Sequence, residues 1–198
     1  RDRHWNLILP MKKIDIEIVD DFVSPSYLRA LQDACGAECP WFIQTSQSLS
    51  DYARDNINDY GFSVGIVPPW QPDKFDQSPI ATLVAPLIYM IKDYAQADHI
   101  SRCRLDMTVL HDHYLHPPHI DIDKPHVASI VYLNETDGDT VIYDHQQEWA
   151  ESYPTDMKIK TTISPKPGRM VLFDGSYVHT GYSPSEHQTR ILINTVLS

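Results

Sequence analysis

The chain has 198 residues, 16 lysines and arginines against 27 acidic residues, a formal charge of −11 and a hydrophobic share of 42%. That length suits one domain with a sizeable core, and the composition is that of an ordinary globular protein. A field so negative argues against a broad polyanion-binding surface, so nucleic acid and anionic membrane are poor expectations. The longest apolar stretch, residues 80–91, is too short to span a bilayer and contains Pro86. No basic, apolar and small-residue signal segment opens the chain. Three cysteines (Cys35, Cys39 and Cys103) make no metal-ligand pattern, and their odd number reads as a reduced, cytoplasmic protein. Ten histidines stand out, and His111, His113, His116, His119 and His126 fall within sixteen residues.

No internal repeat, low-complexity tract or Gly/Ser linker divides the chain, so residues 1–198 are expected to form a single domain. Within it, the first hundred residues support a core made by the second hundred. The 21 aspartates against 6 glutamates, with 15 prolines, predict many turns and few long helices. Residues 14–19 alternate Ile14, Ile16 and Ile18 against Asp15 and Glu17, which predicts a half-buried strand. A helix follows, with Ser24 at its N-cap, Pro25 at its first position, Leu28, Leu31 and Cys35 on one face and Gly36 as its stop.

Residues 39–77 lack clear periodicity but carry Trp41, Phe42, Tyr52, Tyr60, Phe62 and Trp70. They read as long loops with short strands whose aromatics pack over the core. A second helix spans residues 79–97, with a broad apolar stripe of Ile80, Leu83, Val84, Leu87, Ile88 and Ile91 and a kink at Pro86. From Ser101 the texture changes to Val, Ile, Thr and Tyr runs between turn signals. Strands are predicted at 105–110, 119–122, 128–133, 140–143, 161–163, 170–173, 177–180 and 190–197. About eight short strands without a helix among them argue for a jelly roll, so the fold class is α+β: a double-stranded β-helix core with the N-terminal helices packed outside.

His119-Ile120-Asp121 places an imidazole and a carboxylate two apart on a predicted strand, where the period of two sends both to one face. The motif alone is uninformative, because chance supplies about one His-x-Asp in this composition. Its context carries the information. His179 lies 60 residues on, in the penultimate predicted strand; Arg190 opens the last one, and Tyr132-Leu133-Asn134 ends the strand after His-x-Asp. Two histidines and a carboxylate on one face form the facial triad of non-haem Fe(II) oxygenases, which leaves coordination positions open.

From about Arg104 to Leu197 the chain resembles the Fe(II)/2-oxoglutarate-dependent dioxygenase superfamily, and within it the small prolyl-4-hydroxylase-like branch. The resemblance rests on five motifs in the family's order: His119-Ile120-Asp121, residues 129–134, Gly138-Asp139-Thr140, residues 167–174 with His179, and Thr189-Arg190. It implies that His119, Asp121 and His179 hold Fe(II). It further implies that Arg190 pairs with the distal carboxylate of 2-oxoglutarate and Tyr132 gives that carboxylate a phenolic hydrogen bond. Ascorbate would serve as reductant, and succinate and CO2 would leave as a substrate C–H bond is hydroxylated. Halogenating relatives replace the carboxylate ligand with a small residue, so Asp121 points to hydroxylation. Two departures are visible: Pro117-Pro118 interrupt the spacing that would let Tyr114 be assigned, and Leu192 stands where many members have Ser or Thr.

The substrate implied is a peptidyl proline or a small molecule, with Trp70 and Trp149 as candidate walls. A non-catalytic jelly-roll binding module, or a cupin-type metal protein with the same ligands, is the competing expectation; neither has a use for Arg190 beside an open metal site. His111, His113, His116 and His126 read as rim or turn residues, Cys35 and Cys39 as buried thiols, and Lys158, Lys160, Lys166 and Arg169 as a solvated basic strip.

Overall fold

The computed structural model describes residues 12–36, 38–46, 57–147 and 153–198. In chain order the elements are β1 (Ile16–Val19), α1 (Pro25–Ala34), β2 (Phe42–Gln44), β3 (Gly61–Val67), α2 (Pro79–Ala95), β4 (Ile100–Val109), β5 (Val127–Tyr132), β6 (Thr140–Gln146), β7 (Ile159–Ile163), β8 (Met170–Asp174), β9 (Tyr177–Gly181) and β10 (Thr189–Leu197). A seven-stranded sheet runs β1-β8-β5-β10-β4-β3-β2, and a three-stranded sheet runs β7-β6-β9. Every described pair of strands is antiparallel. This is a double-stranded β-helix with two helices outside it.

The central strands of the large sheet are buried on both faces, and the pleat sorts their residues between two cores. On β5, Val127 and Val131 join α1 and α2 in the outer core, while Ala128, Ile130 and Tyr132 face the small sheet. β8 divides in the same way: Met170 and Leu172 go to the helices, Val171 and Phe173 to the interior. Burial on both sides explains why these strands read as continuous apolar runs rather than alternating ones.

The helices form where their punctuation placed them. Ser24 is the N-cap of α1 by backbone conformation, although its side chain makes no capping hydrogen bond, and Pro25 costs nothing where an N–H would be unsatisfied. Ser78 caps α2 by accepting from the Ala81 N–H at 3.3 Å, and Gln96 ends the helix in the left-handed region at φ 53°. α2 runs through Pro86, and the Tyr27 hydroxyl from α1 sits in its backbone ladder there. It donates to the Leu83 carbonyl at 2.6 Å and accepts from the Leu87 N–H at 3.2 Å. A proline disturbs the turn before it, and a side chain seated in that turn repairs the lost pairing.

Four expectations differ from the structure. Residues 119–122 are not a strand: His119 makes one isolated bridge, to His179, because Pro117 and Pro118 offer no N–H to extend a ladder. The stretch 39–77 holds more than loops and short strands, since the seven-residue β3 pairs with β4 in the large sheet and buries Val64, Ile66 and Val67. Its aromatics do not all pack inward. Trp41 and Phe75 lie against the outer core, but Phe42 and Trp70 are 64% and 77% exposed. Finally, β4 begins at Ile100, which brings Arg102 and Arg104 into the sheet. Tyr52 lies outside the described residues.

The three thiols are buried and unpaired, as expected, and burial pushes Cys35 and Cys103 up to about 12. No described helix is long and apolar enough to cross a membrane. The Tyr27 bridge gives a direct test of the helix packing. Tyr27→Phe leaves the Leu83 carbonyl and Leu87 N–H without their partner and should lower unfolding stability by about 1–2 kcal/mol, read by urea denaturation.

Candidate metal centre

The bridge between His119 and His179 is made by both backbones: each N–H donates to the other's carbonyl at 2.9 Å. It fixes the two imidazoles side by side, with ring centroids 4.6 Å apart. Asp121, two residues on, completes a cluster whose donor atoms all lie within 4.8 Å of one another. The three residues singled out by spacing are therefore brought together.

Each ring is oriented by its Nδ1. That of His119 donates to the Pro117 carbonyl at 3.2 Å, and that of His179 to the Tyr177 carbonyl at 3.0 Å, which leaves both Nε2 atoms as lone-pair donors. Asp121 is held by Arg102, whose Nη2 donates to Asp121 Oδ1 and, at 2.8 Å, to Asn194 Oδ1. Its other oxygen, Oδ2, and His179 Nε2 are buried without hydrogen-bond partners, 3.7 Å from each other. Buried polar atoms left bare are costly. Two neutral imidazoles and a carboxylate aimed at one point form a donor set that fits a divalent transition metal.

The electrostatics agree with that fit. Burial, with the His179 ring beside it, pushes the His119 imidazole down to about 3, and burial also lowers His179. Burial alone would raise the Asp121 carboxyl, but Arg102 and the two imidazoles outweigh it and hold the group below the ordinary carboxylate range. All three groups are thus in their metal-binding protonation state at neutral pH.

A small cavity extends from His119 and His179 to Arg190 and is lined also by Arg104, Asp106, Thr140, Leu192 and Asn194. Arg190 is buried, with Nε donating to the Gly138 carbonyl at 2.6 Å and Nη2 to Thr140 Oγ1 at 2.7 Å. Two glycines make room for it. A Cβ on Gly138 would stand 2.7 Å from Arg190 Cδ, and one on Gly181 would stand 3.0 Å from Nη2. Among the described residues no carboxylate pairs with Arg190, although burial lowers its affinity for its proton and would reward an anion. Tyr132 is fully buried; its hydroxyl bonds Thr140 Oγ1 at 2.6 Å, and the Arg190 guanidinium lies 5.8 Å from its ring.

The remaining histidines are less rim-like than expected. His116 is buried, bonded through Nδ1 to Asp59 at 2.8 Å and through Nε2 to Ser183 at 2.9 Å, so it ties three segments together. His126 is also buried, with its ring packed on Gly175, where a Cβ has no room. His113 stays at the surface, stacked on Tyr182. The basic strip is largely neutralised: Lys160 pairs with Asp15, and Lys166 and Arg169 with Asp20. Trp149 lies outside the described residues. Sequence reading gave no role to Arg102, Arg104 and Asp106, nor to Thr140 within its Gly138-Asp139-Thr140 motif. The first three alternate with Cys103 and Leu105, a period of two that was visible within β4.

A two-sheet jelly roll around two histidines and an aspartate is the architecture of non-haem iron oxygenases. The family model of the 2OG-Fe(II) oxygenase superfamily matches residues 105–197. The match covers a little under half of the chain, and over it the sequence is similar to a superfamily of oxidoreductases that use Fe(II) and 2-oxoglutarate. No curated protein matches the chain. Among solved structures it is similar to a 2OG-Fe(II) oxygenase-family oxidoreductase from Burkholderia pseudomallei, at 13% identity and TM-score 0.62 over 92% of this chain and 85% of that one. A prolyl-4-hydroxylase from Pseudomonas putida is similar at 16% identity and TM-score 0.61 over 93% of each chain. The carbocyclase SnoK from nogalamycin biosynthesis, a non-heme alpha-ketoglutarate-dependent enzyme, is similar at 11% and 0.62 over 92% and 79%.

The depressed imidazoles set a pH dependence. An ordinary histidine pair would take up protons below about pH 6.5 and lose roughly 100-fold in metal affinity between pH 7.5 and 5.5. Here burial holds His119 at about 3 and lowers His179, so Co(II) affinity measured by calorimetric titration should fall less than about 100-fold across that window.

Proposed function

We propose that the protein is an Fe(II)- and 2-oxoglutarate-dependent oxygenase of the prolyl-4-hydroxylase-like branch. In this reading it hydroxylates a C–H bond of a peptidyl proline or a small molecule. The observation that carries the reading is a three-donor cluster whose two histidines line one cavity with a buried arginine that has no carboxylate partner among the described residues. A binding module or a cupin-type protein has no use for that arginine.

In this reading His119 Nε2, Asp121 Oδ2 and His179 Nε2 hold the iron, and Arg190 takes the distal carboxylate of 2-oxoglutarate. Bound together, iron and cosubstrate supply an oxidising equivalent from O2, with succinate and CO2 as by-products. The protein's own work is positional. The Pro117 and Tyr177 carbonyls hold the imidazoles in one tautomer, and Arg102 occupies one oxygen of Asp121 so that the other faces the metal. Gly138 and Thr140 hold the Arg190 guanidinium, and Tyr132 supports it through Thr140. A preorganised arginine loses little entropy when a carboxylate arrives. The carboxylate of Asp121 occupies the position that halogenating relatives open to halide, which favours hydroxylation.

Anaerobic protein with Fe(II) and 2-oxoglutarate should show the weak visible metal-to-ligand band of the chelate. Asp121→Ala should abolish both the band and metal binding. Arg190→Ala should keep the metal and raise the 2-oxoglutarate requirement by about 100-fold, the worth of a charge-assisted bidentate contact. With oxygen, succinate release measured across peptides and metabolites identifies the substrate; no band and no succinate would overturn the reading.

A further inference from the structure

β4 presents an unusual inner face. Arg102, Arg104 and Asp106 follow one another at every second residue and point into the space between the sheets, where Arg102 holds Asp121 and the other two line the cavity that reaches Arg190. Asp106 is buried, and an anion there would repel a dicarboxylate if it stood alone. It does not. Arg104 lays its Nε against both Asp106 oxygens, at 2.8 and 3.0 Å. Only Nε is engaged, so the two η nitrogens of Arg104 have no hydrogen-bond partner among the described residues.

Across the sheet, Arg104 is the register partner of Asn194, and Asp106 that of Leu192. Arg190 sits further along β10, opposite Thr108. The two cavity arginines are therefore separated along the sheet by four residues of strand, with Arg104 on the side of Arg102 and Asp121. A 2-oxo acid that chelates a metal through its keto oxygen and one oxygen of the adjacent carboxylate leaves the other oxygen of that carboxylate in need of a hydrogen-bond donor. Arg190, at the far end of the cavity, is placed for the distal carboxylate and not for that oxygen.

Resting on the cosubstrate reading above, we propose that Arg104, anchored by Asp106, is a second carboxylate-binding residue and takes the carboxylate adjacent to the keto group. Asp106 is then a positioning residue: it fixes the guanidinium by its Nε edge and leaves the η edge for the ligand, as a planar fork requires.

The test is calorimetric titration of the Mn(II)-loaded protein with two ligands, 2-oxoglutarate and 2-oxobutyrate, the second of which lacks the distal carboxylate. Arg104→Met should weaken both ligands by about 10- to 100-fold. Arg190→Met should weaken 2-oxoglutarate and spare 2-oxobutyrate. Because Arg104→Met leaves Asp106 bare, the double variant Arg104→Met/Asp106→Asn is measured beside it, with circular dichroism to confirm that each variant is folded. If the double variant regains affinity for both ligands, Arg104 only neutralises Asp106 and the proposal is overturned. Loss of 2-oxoglutarate alone in Arg104→Met, or no loss, overturns it too. If neither Arg104→Met nor Arg190→Met changes 2-oxoglutarate binding, the cosubstrate reading itself has failed.

Discussion

Two backbone hydrogen bonds exchanged between His119 and His179 are the constraint on which the site depends. They join an extended segment, which two prolines keep out of any continuous ladder, to the edge of the small sheet, where the His116 N–H also donates to the Gly181 carbonyl. A hydrogen-bonded antiparallel pair sets its two Cα atoms about 5.5 Å apart with side chains on the same face. That spacing is short enough for two imidazoles to share an ion. Asp121 follows by alternation, and the rest of the site is arranged to keep these three donors deprotonated and aimed.

The interior between the sheets is charged to a degree that an ordinary core would not tolerate. Arg102, Arg104, Asp106, Asp121 and Arg190 all point into it, and among the described residues each but Arg190 has an ion-pair partner. Such pairs add little net stability, because desolvation cancels much of their attraction. The fold can carry them because its apolar burial lies elsewhere. The outer core, where α1 and α2 cover the large sheet, collects Leu31, Ile66, Val84, Leu87, Ile88, Ile91, Leu105 and Ile193, all essentially without exposure. One face of the sheet secures the fold, and the other is released for chemistry.

Much of this was legible in residue order. The helix N-termini at Ser24-Pro25 and before Pro79, most of the core strands and the His-x-Asp with its distant histidine all lay within local rules of capping and period. What was misread shares a cause. Residues 119–122 look like a strand because strand propensity is local, whereas a ladder needs a partner and free N–H groups. His116 looks like a loop residue because its partners, Asp59 and Ser183, lie 57 and 67 residues away. The inner face of β4 was available as an alternation but began at Arg102, three residues before the predicted strand, where arginines argue against burial.

The sequence by itself determined the class of chemistry, because donor types and their order along eight strands leave few alternatives once Arg190 is included. Only the tertiary structure decided which charges neighbour one another. That Arg102 holds Asp121, that Arg104 holds Asp106, and that Arg190 pairs with no carboxylate among the described residues are consequences of strand register in the large sheet and of how the His-x-Asp segment docks on it. Pairings between residues as far apart as Ile16 and Phe173 are set by which apolar faces must be buried together, and no local rule of spacing encodes that.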